Sequence, residues 1–206
     1  MWDQITGPAD PLHVEAVVEL VLDVLPRCGD IAVVAVDGRS GAGKTTLARG
    51  VAAELAGFGT VEVVHMDQLY PGWEGLAESS EILATRILEP LARASPAAYP
   101  RWDWDEDRWD GTASVRPADF LVVEGCGSSI GPARPFAAVT VFMEADRELR
   151  RQRGLARDGE AYRPHWQRWA AQEDALFAAD DTKARADLVI DTSAGGLPPP
   201  AWSPPT

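Results

Sequence analysis

The chain has 206 residues, of which 46% are hydrophobic and 25% charged, and its 32 acidic and 19 basic residues give a formal net charge of −13. This length suits a single domain with a real core, and the acidity argues against DNA or RNA as the main partner, because binding to a phosphate backbone needs a basic face. Two cysteines, Cys28 and Cys126, lack the spacing of a metal or redox motif. We therefore expect reduced thiols in a cytoplasmic protein, neither of them catalytic.

The first predicted element is an amphipathic helix near the N-terminus. Residues 12–25 are mostly apolar but are interrupted by three acidic residues, so the stretch is too short and too charged to span a bilayer. It lacks the basic start and apolar run of a signal peptide, and we expect no membrane partner. Asp10 can cap the helix and Pro11 suits its first position. We expect this segment, residues 1–27, to pack beside a sheet, with His13 on the surface.

The sequence IAVVAVDGRSGAGKTTLARG at residues 31–50 predicts a strand, a phosphate-binding loop and a helix. Residues 31–36 have the apolar, β-branched character of a strand that is buried on both faces. The G-x-x-x-x-G-K-[ST] pattern follows, and its glycines let backbone N–H groups point at a polyphosphate. Lys44 is expected to reach the β and γ phosphates, and the Thr45 hydroxyl to ligate Mg²⁺. The predicted nucleotide-binding residues are Gly38, Ser40, Gly41, Ala42, Gly43, Lys44, Thr45 and Thr46.

Two further predicted strands end in acidic residues. Residues 60–66 lead to Asp67, and residues 118–124 end in Glu124. Ligands of open parallel sheets collect at the carboxyl ends of the strands, so Asp67 is well placed to face the γ-phosphate. By its position alone, Asp67 could also be a cap or turn residue. Glu124 has the place of a magnesium-side carboxylate, whereas His65, inside its strand, is expected to be a core or lining residue.

The segment YPRWDWDEDRWDGTASV, at residues 99–115, predicts a hairpin, with its turn at residues 105–107 or at Asp110-Gly111. It combines three tryptophans with several carboxylates. These side chains could stack on a base and hold sugar hydroxyls, or they could simply stabilise an exposed hairpin. The residues themselves leave the two interpretations evenly balanced.

The remaining elements alternate between helix and strand: helix 81–94, strand 136–143, helix 146–157, helix 162–177 and strand 186–191. Pro90 should kink or end the first of these helices. The helix at 146–157 carries five arginines, which suit a transferring phosphoryl group or form a solvated basic face. Trp166 and Trp169 are expected to be core residues. The tail at 195–206 is Pro-rich and predicted to be disordered.

Five short strands separated by helices, with a phosphate loop after the first, predict an α/β fold with a parallel sheet, in one domain over residues 1–194. Several motifs in this order resemble the uridine kinase and phosphoribulokinase branch of the P-loop nucleoside and nucleotide kinase superfamily. They are DGRSGAGKTTLA, HMDQLYPGW, PRWDWDEDRW, RPADFLVVEG, RGLARD and TKARADLVID. The resemblance implies a three-layer P-loop NTPase with a five-stranded parallel sheet, a substrate-side hairpin at 95–117 and an arginine-bearing lid at 145–165.

The resemblance also implies roles for individual residues. Asp67 matches the acid that accepts the proton of the acceptor hydroxyl and helps to hold Mg²⁺, and Glu124 matches the second magnesium-side carboxylate. The implied catalytic residues are Lys44, Asp67, Arg153 and Arg157, the last two being lid arginines that close over the phosphates. The expected substrate-site residues are Asp67, Tyr70, Trp102, Asp103, Trp104, Arg108 and Arg151. The implied reaction is transfer of the γ-phosphoryl group of ATP, with Mg²⁺, to a hydroxyl of a nucleoside or similar sugar-bearing molecule.

Two departures from the family pattern fall in the acceptor pocket. The histidine that contacts the pyrimidine in uridine kinases is absent, and Asp107 or Arg108 stands near its place. The segment PGWEGLAE replaces the sugar-binding acidic segment, with Glu74 as a substitute. A nucleoside-monophosphate or other metabolite kinase of the same fold and an ATP-binding regulator without turnover are the alternatives. A GTP switch is disfavoured because an Asn-Lys-x-Asp motif is missing, and a homo-oligomer is possible.

Overall fold

The computed structural model describes residues 7–159 and 162–193. The Pro-rich tail and two residues of the expected lid lie outside the described residues. The strands, in chain order, are β1 (Ala32–Gly38), β2 (Val61–His65), β3 (Ala97–Asp103), β4 (Arg108–Val115), β5 (Phe120–Glu124), β6 (Ala137–Glu144) and β7 (Leu188–Asp191). Five of them form one parallel sheet in the order β2-β5-β1-β6-β7, which confirms the predicted α/β fold. All seven residues of β1, the central strand, are buried, as the apolar run at residues 32–36 requires, and the burial includes the charged residue Asp37.

Helices cover both faces of the sheet. They are α1 (Pro11–Leu22), α2 (Lys44–Leu55), α3 (Ser79–Leu83), α4 (Glu89–Ala92), α5 (Arg147–Asp158) and α6 (Trp166–Asp180). Side chains alternate between the two faces of a strand. Accordingly, Val34 of β1 packs in a core with residues of α1 and α2, whereas Val33 packs in a second core with α3, α4, α6 and the hairpin. The result is the expected three-layer arrangement.

The predicted helix at 81–94 is a composite. It begins two residues earlier than predicted, and a π-helical turn, Ala84–Leu88, joins α3 to α4. Pro90 lies in the first turn of α4, where an α-helix does not require a hydrogen bond from the backbone nitrogen. The proline therefore changes the helix geometry without ending the segment.

The N-terminal helix follows the prediction at its cap but not at His13. The Asp10 carboxylate accepts a hydrogen bond from the Leu12 N–H at 3.0 Å, and Pro11 is the first helical residue. The prediction that His13 lies on the surface is wrong, because this residue is only 7% exposed. It stands four residues before Val17 and so shares the buried stripe of α1.

Strands β3 and β4 form the predicted antiparallel hairpin, with Trp102 opposite Trp109 and Asp103 opposite Arg108. Its turn lies between these strands, at the first of the two predicted places. The alternative turn at Asp110-Gly111 is wrong because both residues belong to β4. Within the described ranges, the helices are too short or too polar to cross a membrane.

Candidate active site

A cavity of about 460 Å³ lies at the carboxyl edge of the sheet. The phosphate loop after β1 lines it together with Asp67, which follows β2, and Glu124, which ends β5. Met143 of β6 and Thr192, just after β7, complete this edge. All five strands of the sheet therefore deliver residues to one cavity, as parallel topology dictates.

The phosphate loop needs glycine at three positions. Gly38, Gly41 and Gly43 have φ values of +130°, +80° and +97°. A Cβ atom on Gly38 would overlap the carbonyl oxygen of Met143, and one on Gly41 would overlap that of Arg150. Gly43 is the N-cap of α2 and supplies no side-chain hydrogen bond to the first turn. The backbone N–H groups at the start of α2 are thus left for an anion.

Lys44 is held against the loop that it belongs to. Its side-chain Nζ donates to the carbonyl oxygen of Arg39 at 3.0 Å and lies 3.7 Å from the Cys126 sulfur. The residue is only 8% exposed. A buried ammonium group needs an anionic partner or several acceptors, so this lysine is well suited to a phosphate in the loop.

Glu124 joins the phosphate loop to β2. The Thr45 hydroxyl donates to both carboxylate oxygens of Glu124 at 3.2 Å, and His65 Nδ1 lies 2.7 Å from Glu124 Oε1. His65 was expected from the sequence to be a core or lining residue, and its side chain is instead 40% exposed and paired with this carboxylate. It is paired with Glu124 because β2 and β5 are neighbours in a register that sets these residues side by side. The residue was recognisable only once that register was known.

Asp67 sits in a 3-10 turn, Met66–Gln68, directly after β2. Its Oδ1 atom is buried and has no hydrogen-bond partner among the described residues. Burial raises the pKa of Asp67 to about 6, the charge of Glu124 adds to this effect, and His65 and Arg157 oppose it. A carboxylate in such a place costs stability, which is typical of a group retained for binding or catalysis rather than for a turn.

The oxygen atoms of Thr45, Asp67 and Glu124 fit Mg²⁺, which is usually held by one or two carboxylates together with substrate phosphates. The orphaned Asp67 oxygen is the observation that supports this fit. Among residues 7–159 and 162–193, no group of three or more His, Cys, Asp or Glu side chains forms a complete metal cage. Such a cage is not what Mg²⁺ requires at a phosphate site.

Two of the predicted lid arginines line the cavity. Arg153 donates to the hydroxyl and carbonyl oxygens of Thr192 at 2.9 and 3.1 Å. Arg157 makes a bidentate pair with Asp158, with Nε–Oδ1 and Nη2–Oδ2 distances of 2.8 and 2.7 Å. Arg151, two residues from Arg153 on α5, points elsewhere and pairs with Glu148 instead. It does not line the cavity, so the structure does not bring this predicted substrate residue to the site.

The hairpin contributes one of its four predicted substrate residues to the cavity. Trp104 lines it and donates its indole N–H to the Asp67 carbonyl oxygen at 2.9 Å. Asp103 instead accepts hydrogen bonds from two backbone N–H groups of the turn, which lower its pKa. Trp102 packs edge-on against Trp109, with ring centroids 5.1 Å apart. Arg108 is exposed and lies opposite Asp103. Trp102, Asp103 and Arg108 therefore belong to the cross-strand pairs and the turn of the hairpin and do not line the cavity.

Tyr70, also predicted as a substrate residue, lines the cavity, and its hydroxyl donates to the Cys126 carbonyl oxygen at 2.9 Å. The sequence analysis missed the larger aromatic group around it. Trp73 stacks on His165 with a centroid distance of 4.2 Å and on Tyr162 at 5.6 Å, and it contacts Trp104 at 4.8 Å. We call Trp73, Trp104, Tyr162, His165 and Trp169 the aromatic cluster. The replaced segment PGWEGLAE, which contains Trp73, was the available signal.

The sequence analysis also missed Glu173, a fully buried residue of α6. Its Oε1 accepts hydrogen bonds from the Ser40 N–H at 2.7 Å, the Cys126 thiol at 3.0 Å and the Trp169 indole at 3.0 Å. Burial and the nearby charge of Glu173 raise the pKa of Cys126 far above its usual range, so this cysteine is a neutral thiol. Glu173 thereby fixes the middle of the phosphate loop to α6.

A second buried carboxylate, at the end of β1, forms hydrogen bonds with the start of the same loop. Asp37 is wholly buried and accepts hydrogen bonds from the N–H groups of Gly38, Gly127 and Ser129, at 2.7 to 2.8 Å, and from the Ser129 hydroxyl at 2.8 Å. Burial raises its pKa, while these four hydrogen bonds lower it. The loop after β1 and the loop after β5 are therefore tied to one side chain.

Comparison with known proteins gives matches in family and fold. A family model described as an AAA domain matches residues 34–175. No curated protein matches the chain. A possible uridine kinase from Bacillus stearothermophilus has 22% sequence identity and a TM-score of 0.65, covering 87% of this chain and 97% of its own. D-glycerate 3-kinase from Cryptococcus neoformans var. grubii has 13% identity and a TM-score of 0.56, covering 90% and 96%. These similarities show the fold of a P-loop kinase.

Proposed function

We propose that this chain, which belongs to the AAA domain family by the model that matches residues 34–175, binds ATP. We propose further that it transfers the γ-phosphoryl group of ATP to a hydroxyl of a small molecule. One observation carries the proposal. The unpartnered, buried oxygen of Asp67 and the phosphate loop belong to the same cavity. A buried carboxylate with a raised pKa beside a phosphate site is typical of a functional group and can act as the base for an attacking hydroxyl.

The residues at the phosphate loop and beside Asp67 have separate tasks in this reaction. Lys44 and the N–H groups at the start of α2 hold the β and γ phosphates. Asp67 accepts the proton of the attacking hydroxyl, and its raised pKa suits a base that works near neutral pH. Arg153 and Arg157 neutralise charge on the transferring group, since positioning and electrostatics are most of what a protein supplies here.

Mg²⁺, held by Thr45, Asp67 and Glu124 directly or through water, would neutralise charge on the phosphates. The hydrogen bond of His65 to Glu124 orients this carboxylate toward Thr45. The indole N–H of Trp104 donates to the backbone carbonyl oxygen of Asp67 and so restrains the turn that carries this carboxylate. His65 and Trp104 therefore position Glu124 and Asp67 before any ligand binds.

The acceptor in our proposal is a nucleoside or similar sugar-bearing alcohol. The two similar structures are named for uridine and D-glycerate, which both offer a hydroxyl group. Tyr70, Trp73 and Trp104 give the Asp67 end of the cavity flat aromatic surfaces, which suit a base or the apolar face of a sugar ring.

A substrate panel tests the proposal. ADP release would be measured with nucleosides, sugars, D-glycerate and nucleoside monophosphates as acceptors. We expect turnover with at least one unphosphorylated alcohol. Lys44→Ala should lower it about 10³-fold, the scale for losing a preorganised charge, and Asp67→Asn about 10²-fold, the scale for losing a positioned base.

Lys183→Ala, at an exposed lysine paired with Glu144, is the control and should leave turnover unchanged. Turnover confined to monophosphates would favour the nucleotide-kinase alternative. ATP binding without turnover of any acceptor would indicate a regulator. Near-normal turnover in Asp67→Asn would show that another group is the base.

A further inference from the structure

The segment that precedes β1 reaches the nucleotide cavity. Pro8, Ala9, Asp10 and His13 line the same cavity as the phosphate loop. The segment packs closely on α2, because a Cβ atom on Gly50 would lie 2.9 Å from the Ala9 Cβ and 2.7 Å from a Val14 methyl group. None of these four residues belongs to the machinery described above. Their presence in the cavity therefore needs its own explanation.

The order of the strands fixes which end of the cavity they occupy. Asp67 follows β2 at one edge of the sheet, the phosphate loop follows central β1, and Thr192 follows β7 at the other edge. A γ-phosphate that faces Asp67 leaves the rest of the nucleotide to extend toward β6 and β7. Buried residues of α1 pack with Val139 and Val141 of β6 and with Ile190 of β7. Residues 8–13, at the start of α1, thus lie at the nucleoside end.

His13 carries the polar atom that points to a ligand. Its side chain is 9% exposed, and its Nε2 has no hydrogen-bond partner within residues 7–159 and 162–193. The other ring nitrogen lies 4.0 Å from Asp10 Oδ2, while Asp10 Oδ1 caps α1. An unpaired ring nitrogen this deeply buried is unfavourable unless a ligand satisfies it.

We propose that residues 8–13 form the nucleobase pocket of this enzyme, with His13 Nε2 and Asp10 Oδ2, the carboxylate oxygen that does not cap α1, meeting the hydrogen-bonding edge of the base. This inference rests on the proposed function, because it assumes a nucleotide in the phosphate loop. A carboxylate oxygen accepts hydrogen bonds, so it suits the exocyclic amino group of adenine. Pro8 and Ala9 supply apolar surface beside the ring. The ligand class is a nucleoside triphosphate whose base carries an amino group.

Titration calorimetry with Mg²⁺ separates recognition of the base from that of the phosphates. The probes are ATP and inorganic tripolyphosphate, which lacks the base. We expect the wild-type protein to bind ATP more tightly than tripolyphosphate. His13→Leu and Asp10→Ser should each raise the Kd for ATP about tenfold, the scale of one good hydrogen bond to a charged or buried group. The Kd for tripolyphosphate should stay the same in both variants.

The design keeps folding and binding apart. Serine is as good an N-cap as aspartate, so Asp10→Ser preserves α1 while removing the carboxylate. His13→Gln replaces His13→Leu if the latter lowers Tm, and Glu15→Gln, at an exposed site on α1, is the control. An unchanged Kd for ATP, or equal weakening of both probes, would overturn the inference. Wild-type binding of neither probe would refute the proposed function instead.

Discussion

Under the proposed function, the cavity has a phosphate end at the loop after β1 and an acceptor end at the aromatic cluster, and the two are built in different ways. At the phosphate end, one contiguous loop supplies the ligand-binding groups, mostly as backbone N–H groups, and two buried carboxylates, Asp37 and Glu173, hold it in place. At the acceptor end, the aromatic cluster brings together the 71–75 loop, the hairpin, the residues after α5, and α6. The first is fixed mainly by hydrogen bonds and the second mainly by ring contacts, to which the indole N–H groups of Trp104 and Trp169 add hydrogen bonds.

This difference implies that the sequence of the phosphate loop is more restricted than the sequence of the aromatic cluster. Gly38 and Gly41 have no room for a side chain, and all three loop glycines have positive φ values, so a phosphate site of this shape admits few sequences. Ring packing is less directional than hydrogen bonding, and aromatic surfaces can be replaced one at a time. We infer that substitutions in the aromatic cluster disturb this protein less than substitutions at the loop glycines.

The largest effect is expected from breaking the support of the phosphate end. Glu173→Ala should lower the free energy of unfolding by about 3 kcal/mol, because the buried Arg150, 3.8 Å from Glu173, loses its anion and the Ser40 N–H loses its acceptor. Glu173→Gln keeps an acceptor oxygen and should cost about half as much. Urea denaturation measures both.

Asp174→Asn is the matched control for this prediction. Asp174 is the next residue on α6 and pairs with Arg39 at 2.9 Å, but its side chain is 49% exposed. A half-exposed ion pair contributes little to stability. A loss in Glu173→Ala no greater than that in Asp174→Asn would mean that the phosphate loop does not depend on Glu173.

A smaller effect, of opposite sign, is expected at Asp67, which lies where the two ends meet. Burial raises the pKa of Asp67 from its ordinary 3.8 to about 6 in the folded chain, so the unfolded chain ionises first and the free energy of unfolding falls as the pH rises through this range. Its contribution to the free energy of unfolding should rise as the pH falls from 7 toward 4. Asp67→Asn should therefore raise the Tm of the ligand-free protein at pH 7.5 by about 5 °C, corresponding to about 2 kcal/mol.

Asp119→Asn provides the comparison for this change. Hydrogen bonds from Thr60 lower the pKa of Asp119, so its ionised form stabilises the fold and its replacement should lower Tm. In the wild-type enzyme, kcat/KM should also fall about tenfold per pH unit below pH 6 as Asp67 takes up its proton. A decrease in Tm for Asp67→Asn, or a flat profile between pH 5 and 7, would contradict the assignment.

The smallest effect is expected from opening the acceptor end. Trp73→Ala removes the ring on which His165 and Tyr162 stack, and it should raise the KM of the acceptor about tenfold, the scale of one lost aromatic contact. The KM of ATP should not change. Trp109→Ala, on the exposed side of the hairpin, should alter neither value. Equal increases in both KM values would show that the two ends are not separable.

Prediction from the sequence succeeded for features that depend on residues close to one another along the chain. The five-stranded parallel sheet, the hairpin and the N-cap at Asp10 all follow from local patterns and turn chemistry. It failed for His13, although this residue stands four positions before Val17 and so lies on the buried stripe of α1. The substrate role of Asp103 stays a prediction, and the structure adds that its carboxylate accepts hydrogen bonds from two N–H groups of the turn.

What the sequence determined by itself is the phosphate end, since a loop between a strand and a helix is specified by neighbours along the chain. Only the tertiary structure decided that His65 would face Glu124, that Glu173 would reach Ser40 from over a hundred residues away, and that Trp73 would meet α6. These contacts depend on which strands are adjacent and on how helices cross them. Packing of the whole core selects that arrangement, and no local spacing encodes it.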